Sequence, residues 1–349
     1  MSRLVVIDAD VLGRARTGDE SYIENLLREL AHLETPLRFA ALTRQPRRVP
    51  PGIEAVQVNA RSQIVRMAVR LPTLFRRLRP SVSHFHYVVP PGAPGCVVLT
   101  VHDLSFERRP ELMSWTDRAL FRSLVPRSLR RADRIVVGSK WTRADLVERY
   151  EIPEQKVVVT PYGVDPAFGM DGPTRDGGSY MLFVGGLQPR KDPTTAVDAL
   201  AKLDPHLRLV FAGPALRKSR ELVDHVRELR LSSRVEFTGY VRKSELAALY
   251  RGAACLVLPS LYEGFGLPIL EAMASGTPVV ATTAGALLEV AGDAAVLVEP
   301  GDAEELAAGV ELALADRERL VAAGLERSTR YSWAETARRT LAVYEELAG

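Results

Sequence analysis

Short β-branched runs alternate with longer amphipathic stretches along the whole chain. In the front half the runs Leu4–Ile7, Arg38–Leu42, Ala55–Val58, Val82–His86, Val97–Val101, Ile135–Val137 and Val157–Thr160 predict strands. Their apolar residues are contiguous rather than alternating, which fits parallel strands buried on both faces. Between them, stretches of helical period predict helices over Glu20–His32, Gln63–Leu78, Trp115–Arg131 and Trp141–Tyr150. Residues 169–179 are small, polar and rich in glycine, with almost nothing to bury, and predict a linker. The alternation then restarts. Strands are predicted at Met181–Val184, Leu207–Ala212, Val235–Thr238, Leu256–Leu258, Val279–Ala281 and Val296–Val298, separated by helices near Thr194–Leu203, Arg217–Leu229, Ser244–Arg251, Pro268–Ala274 and Ala303–Ala315. Two βαβ series in succession predict an α/β protein of two doubly wound parallel sheets, residues 1–168 and 180–330, facing a cleft. The last segment, residues 331–349, opens on a capping box of Ser332 and Glu335 and carries one apolar stripe of Trp333, Ala337, Leu341 and Tyr344.

Composition narrows the class. A chain of 349 residues, 46% hydrophobic and 26% charged, is neither disordered nor fibrous and is long enough for two cores. No uninterrupted apolar run approaches the ~18–20 residues of a membrane-spanning helix. Leu4–Ile7 meets Asp8 too soon for the apolar core of a leader and reads as a first buried strand. Cys96 and Cys255 stand far apart, which implies neither a disulfide framework nor a cysteine-rich metal site, and a reduced cytoplasm is expected. The net charge of +3 hides an asymmetry: residues 1–170 hold 26 Lys and Arg against 18 Asp and Glu, residues 171–349 hold 20 against 25. The front half is therefore expected to meet something anionic.

The most informative stretch runs from Leu258 to Thr282. The strand Leu256–Leu258 stops at Pro259, and a loop with Gly264 and Gly266 comes next. Pro268 suits a first helical turn, and Gly276 with Pro278 ends the helix. A strand, a glycine-rich loop and a helix N-terminus make a phosphate site. Glu263 lies on the loop and Glu271 on the helix, with seven residues between them. Glu271 alone could be charge complementarity at a helix start. Glu263, set between Tyr262 and Gly264-Phe265-Gly266, has no such explanation.

Glu263 and Glu271, with Gly-Phe-Gly-Leu-Pro between them, resemble the Glu-x7-Glu motif of retaining GT-B glycosyltransferases, specifically glycosyltransferase family 4. Four further elements carry the same resemblance in order: Val101-His102-Asp103-Leu104, Ile135 to Thr142, Thr160 to Asp165, and Val184-Gly185-Gly186-Leu187-Gln188-Pro189-Arg190-Lys191. The resemblance implies that Glu263 binds hydroxyls of the donor sugar and that Glu271 accepts hydrogen bonds from ribose. Backbone N–H groups of Gly264, Phe265, Gly266 and Leu267 would hold sugar and phosphate, beside Gly185 and Gly186. Lys191 and Arg190 would neutralise the departing diphosphate, His102 would touch donor sugar or acceptor, and Val241 would lie near the base. Gly18, Glu20 and Asp103 would stand on the acceptor side; independently of the resemblance, Asp19 has the side chain of a cap for the helix after the first loop. The resemblance further implies that the last helix crosses back to the N-terminal domain. The implied reaction is transfer of a sugar from a nucleotide diphosphate with retention, needing no metal and no other cofactor.

Two positions depart from the family. Glu20 stands where relatives commonly carry a second glycine, and Gly186 stands where an arginine precedes the phosphate lysine. Leu288 to Ala295 resembles the branch containing many bacterial mannosyltransferases, so GDP-mannose is the first expected donor and a UDP-sugar the second. The basic stretch Arg61–Arg79 predicts a helix with Ile64, Val65, Ala68, Leu71 and Leu74 on one face and Arg66, Arg70, Arg76, Arg77 and Arg79 on the other. That is either an ordinary solvated face or a contact with an anionic membrane surface carrying a lipid-linked acceptor, which would make the protein peripheral at the inner face. A glycan is the other acceptor class. Nucleic acid is not expected, because no aromatics interleave the basic residues. A nicotinamide dehydrogenase is excluded by the missing Gly-x-Gly-x-x-Gly after the first strand. A non-catalytic nucleotide-binding protein of the same fold remains the alternative class.

Overall fold

The computed structural model describes residues 3–14, 17–175, 179–214 and 219–349. The chain forms two compact units, Met1–Tyr162 with Trp333–Gly349, and Gly163–Ser332. Asp176 to Gly178, near the end of the predicted linker, and Arg217 at the start of one predicted helix lie outside the described residues.

The N-terminal unit is built on seven parallel strands, β1 (Leu4–Asp8), β2 (Arg38–Thr43), β3 (Glu54–Gln57), β4 (Val82–His86), β5 (Cys96–Val101), β6 (Arg134–Val137) and β7 (Val157–Val159). Their order is β3-β2-β1-β4-β5-β6-β7, so the winding reverses between β1 and β4. Val5, Val6, Ile7, Val97, Val98, Leu99, Ile135 and Val136 are fully buried, which is why these strands read as continuous apolar runs. The helix after β1 spans Thr17–Leu30, so Asp19 and Glu20 sit inside its first turn and complement the helix dipole; Asp19 is not its cap.

The basic stretch differs from its sequence pattern in a specific way. It forms Gln63–Val65, a π-helical turn at Arg66–Arg70, and Leu71–Leu78. A π turn inserts one residue into the helical repeat and so rotates the segment before it relative to the segment after it. Leu71 is buried on the sheet, but Ile64 is 79% exposed, and Val65 and Ala68 are not buried with it. Arg66, expected among the solvated cations, is fully buried. Its guanidinium reaches Asp8 at the end of β1 with contacts of 2.5 and 3.0 Å, and lies 3.4 Å from Asp10. Two carboxylates at a strand end need a buried cation, and that requirement outweighs the solvation of Arg66.

The last helix, Trp333–Ala348, packs on Thr17–Leu30 as part of this unit. Trp333, Ala337, Leu341 and Tyr344 are all buried. The Tyr344 hydroxyl lies 2.6 Å from Nδ1 of His84, and Thr336 donates to the Pro161 carbonyl at 2.5 Å.

The C-terminal unit holds six parallel strands, β8 (Tyr180–Val184), β9 (Arg208–Ala212), β10 (Val235–Gly239), β11 (Cys255–Leu258), β12 (Val279–Thr282) and β13 (Val296–Val298). The order β10-β9-β8-β11-β12-β13 puts its reversal between β8 and β11. Residues 163–175 belong to this unit. Arg251 donates to the carbonyls of Gly169 and Pro173, and Arg175 holds Glu236 at 2.7 Å. The helix Arg317–Ser328 is not marked by hydrophobic period. Its buried face is Leu320, Gly324 and Ser328, small enough that Met273 packs against Gly324.

Substituting Tyr344 tests how far the terminal helix stabilises the N-terminal unit. Tyr344→Phe removes only the hydroxyl beside His84 and should cost about 1 kcal/mol. Tyr344→Ala empties a buried aromatic site and should cost about 3–5 kcal/mol. Hydrogen exchange should report the loss in β1, β4 and the helix Thr17–Leu30; unchanged protection there would contradict the packing.

Candidate functional site

In an open parallel sheet, the reversal point leaves a crevice at the carboxyl ends of the two diverging strands. In the C-terminal unit those strands are β8 and β11. After β8 the chain turns through Gly185, whose φ is +127°. A Cβ there would stand 2.7 Å from Cε of Lys191, and a Cβ on Gly213 would stand 2.0 Å from the Gly185 carbonyl oxygen. Absent side chains thus let Lys191 fold back over the strand end. A 3-10 turn, Pro189–Lys191, carries both cations, and Asp192 caps the next helix, Pro193–Leu200, by accepting from Thr195.

After β11 the loop delivers Glu263. Its carbonyl accepts the Ala286 N–H at 2.9 Å, and Gly285, at φ +65°, leaves room for that approach. The buried carboxylate is fully engaged. Oε1 accepts from Lys191 Nζ at 2.8 Å and from the Ser260 hydroxyl at 2.9 Å, and Oε2 accepts from Arg190 at 2.9 Å. Arg190 also donates to the Tyr262 carbonyl at 2.7 Å. Burial alone would raise the pKa of Glu263. The two cations outweigh it and hold the carboxyl down at about 2. Its stabilising contribution is therefore present above about pH 4.3 and lost as pH falls toward 2. Two cations against one carboxylate leave a local excess of positive charge, suited to a diphosphate. Beyond Glu263, Gly264 and Phe265 are buried, and Phe265 packs edge-on against Tyr331 at 5.9 Å. Gly266, at φ +105°, begins the helix Leu267–Ala274 with no side-chain cap on its first turn.

Glu271 lies on that helix, half-buried, and its Oε2 accepts from the Tyr250 hydroxyl at 2.8 Å. Burial pushes its pKa up, the Tyr250 hydrogen bond opposes the rise, and Asp165 adds to it; the outcome is about 7. Asp165 itself pairs with Lys243 at 2.6 Å. Gly186 is buried beside Gly185, whereas Val241 comes after β10 at the sheet edge, with Tyr240 exposed next to it. Ser260, Tyr250 and Gly285 are not marked by the sequence pattern. Ser260 lies inside the quoted motif, but nothing in the pattern links Tyr250 to Glu271.

In the N-terminal unit, His102 stands just after β5 and is buried. Its Nδ1 lies 2.6 Å from the Tyr162 hydroxyl, and its Nε2 is 3.2 Å from His86 and 3.8 Å from Asp19. His84, His86 and His102 form a stack with ring centroids 5.4 and 5.3 Å apart. Burial and neighbouring imidazoles push His84 well below its usual value and His86 to about 4, so both are neutral at pH 7. Glu20 accepts the Gly13 N–H at 2.7 Å, and Asp103 accepts that of Ser105 at 2.9 Å. Glu20 thus holds the chain before its helix, and Asp103 the turn after β5. Gly18 is exposed in a helical first turn. Among the described residues no group of three or more His, Cys, Asp or Glu could hold a metal ion.

Two doubly wound parallel sheets, one of them with an acid and two cations at its reversal point, define an α/β protein of the two-domain Rossmann-like class. Residues 16–168 match the family model described as Glycosyltransferase Family 4, and residues 171–337 match the one described as Glycosyl transferases group 1. The chain therefore belongs to the GT-B glycosyltransferases of this family. It is 29% identical to O-antigen chain mannosyltransferase B of Escherichia coli over 72% of this chain and 70% of that protein. It is 35% identical to a D-inositol 3-phosphate glycosyltransferase of Salinispora tropica (62% and 51% covered). A third relative, the MMP alpha-(1->4)-mannosyltransferase of Mycolicibacterium hassiacum, is 33% identical (68% and 59% covered). The matched stretch thus spans little more than half the length of the latter two. Among solved structures, sucrose-phosphate synthase from Thermosynechococcus elongatus superposes with a TM-score of 0.82 at 22% identity over 99% of this chain and 98% of that one. Anabaena HepE in complex with UDP-glucose gives 0.77 at 17% over 99% and 100%.

The position of Glu271 yields a pH test. With a pKa near 7 in the empty protein, a ligand that hydrogen-bonds its ionised form binds more tightly as pH rises. Between pH 6 and 8 the affinity for a nucleoside diphosphate should rise about tenfold through this group. The diphosphate titrates in the same range, so the comparison is with Glu271→Gln, which should lack that share of the rise. Superimposable calorimetric profiles of the two proteins would remove Glu271 from nucleotide binding.

Proposed function

We propose that this chain transfers a hexose, mannose from GDP-mannose first, to a hydroxyl of a glycan or lipid-linked acceptor, with retention at the anomeric carbon. The observation that carries this reading is the buried Glu263 carboxylate held by Arg190 and Lys191 at the β8/β11 reversal point. The carboxylate neutralises part of the cationic charge. A bound diphosphate recruits Arg190 and Lys191 to its own oxygens, and Glu263 turns to the sugar hydroxyls beside it. As the glycosidic bond to phosphate breaks, negative charge grows on the leaving oxygen, and the two cations stabilise that charge more than the ground state. The acceptor hydroxyl attacks from the face the phosphate leaves, and a phosphate oxygen takes its proton. No metal is required, because the cations supply the charge a metal would. Glu271 binds ribose, and His102 in the N-terminal unit serves the acceptor.

Mannose is supported by the names of two relatives, the mannosyltransferases of Escherichia coli and Mycolicibacterium hassiacum. A UDP-sugar is the second reading, supported by HepE, solved with UDP-glucose. Among the described residues no helix is long and apolar enough to cross a membrane. We place the reaction in the cytoplasm, with the basic N-terminal half against the membrane that bears a lipid-linked acceptor.

A thermal-shift panel of nucleotide sugars identifies the donor, since a ligand at 100 times its dissociation constant adds ~2.7 kcal/mol of stability. With that donor, Lys191→Ala should lower kcat ~10²–10³-fold while the melting curve stays cooperative. Glu263→Gln should separate the two roles: turnover falls, while the nucleoside diphosphate binds at least as tightly, because both cations lose their competing carboxylate. Near-normal turnover in Lys191→Ala would defeat the proposal, as would binding of every donor with no transfer or hydrolysis.

A further inference from the structure

The N-terminal sheet has its own reversal point, between β1 and β4, and a cavity of about 790 Å³ opens there. Its wall comes from the chain after β1, the loop after β4, the π turn at Arg66–Arg70 and the helix Trp115–Arg131. The size falls within the roughly 300–1,000 Å³ of small-molecule sites. The lining is chiefly apolar, with Met67, Val89, Pro90, Phe121 and Leu124. Two local irregularities border it, the π turn and Tyr87 at φ +57°; both are costly and cluster at functional sites.

The polar groups are unevenly distributed. Asp8 and Asp10 are matched by Arg66, Arg44 and Arg14. Along the helix, Leu120, Leu124, Arg127 and Arg131 all line the cavity at spacings of four, three and four residues, one helical face. That face is apolar at one end and cationic at the other. Among the described residues Arg127 donates to the carbonyl and hydroxyl of Ser123, and Arg131 donates to the carbonyls of Ala93 and Gly95 and pairs with Asp133 at 3.3 Å. At the apolar end two lining residues reach the protein surface: Ile64 is 79% and Leu120 54% exposed.

We propose that this cavity takes an anionic amphiphile, its phosphate on Arg127 and Arg131 and its hydrocarbon chain running past Phe121 and Leu124 to leave between Ile64 and Leu120. Resting on the glycosyltransferase reading, this makes the acceptor a lipid-linked phosphate rather than a free glycan. Hydrocarbon accounts for the exposed apolar rim, which a sugar would leave wet. A phosphate suits the two arginines at the cationic end of that face, which keep donors beyond those already used.

The test is direct binding to the full chain without nucleotide sugar, by calorimetry. Dodecyl phosphate is used below its micelle concentration, so that entry of a single molecule is separated from adsorption on a lipid surface. Saturable binding is expected, with inorganic phosphate and dodecyl maltoside each at least about tenfold weaker. The double variant I64D/L120D changes only exposed residues and should weaken dodecyl phosphate about tenfold; Arg127→Gln should weaken it several-fold. Both variants should keep the parent melting temperature and nucleotide affinity. Equal affinity for dodecyl maltoside, equal affinity in the variants, or no saturable binding would each overturn the proposal. Because no donor is present, a failure of sugar transfer leaves this result standing, and the reverse also holds.

Discussion

A carboxylate buried at the end of a strand must be given its counter-charge by the fold, and Glu263 shows what that demands. Its two oxygens are met by Lys191, Ser260 and Arg190 at 2.8–2.9 Å. Those partners come from two loops that are adjacent only because β8 and β11 pair in the sheet. Gly185 and Gly213 are required so that Lys191 can fold back, and Gly285 so that the Glu263 backbone can be held. Removing a buried partner leaves an uncompensated charge, which costs more than an exposed pair contributes. The arrangement sets two cations against one carboxylate at the strand ends.

The N-terminal unit meets the same problem with two acids, and its buried cation comes from a helical segment. Asp8 and Asp10 end β1, and the cation that reaches them is Arg66, taken out of a stretch that otherwise looks solvated. Drawing Arg66 inward coincides with the π turn and leaves Ile64 and Val65 facing out. One buried ion pair therefore accounts for both the irregular helix and the apolar rim of the cavity beside it.

The histidine stack is held differently, with Asp19 3.8 Å from His102 as its nearest carboxylate contact. His84 and His86 are kept neutral by burial, and tyrosine hydroxyls from Tyr344 and Tyr162 stand against His84 and His102. The terminal helix is thereby joined to β4 through a polar contact as well as through its apolar stripe.

The sequence by itself determined the strands, because residues buried on both faces of a parallel sheet form unbroken apolar runs whatever their neighbours. It also carried the family, since the loop that bears Glu263 and the Gly185 to Lys191 segment are contiguous motifs. Helices with small buried faces, such as Arg317–Ser328, left no period to read. Tertiary structure alone decided that Glu263 is answered by Arg190, Lys191 and Ser260, that Tyr250 meets Glu271, and that Arg66 is inside while Ile64 is outside. Each of those depends on the way the fold brings separate segments together. Hydrophobic period is a property of one segment, whereas the partner of a buried charge is a property of the sheet order that sets two segments side by side.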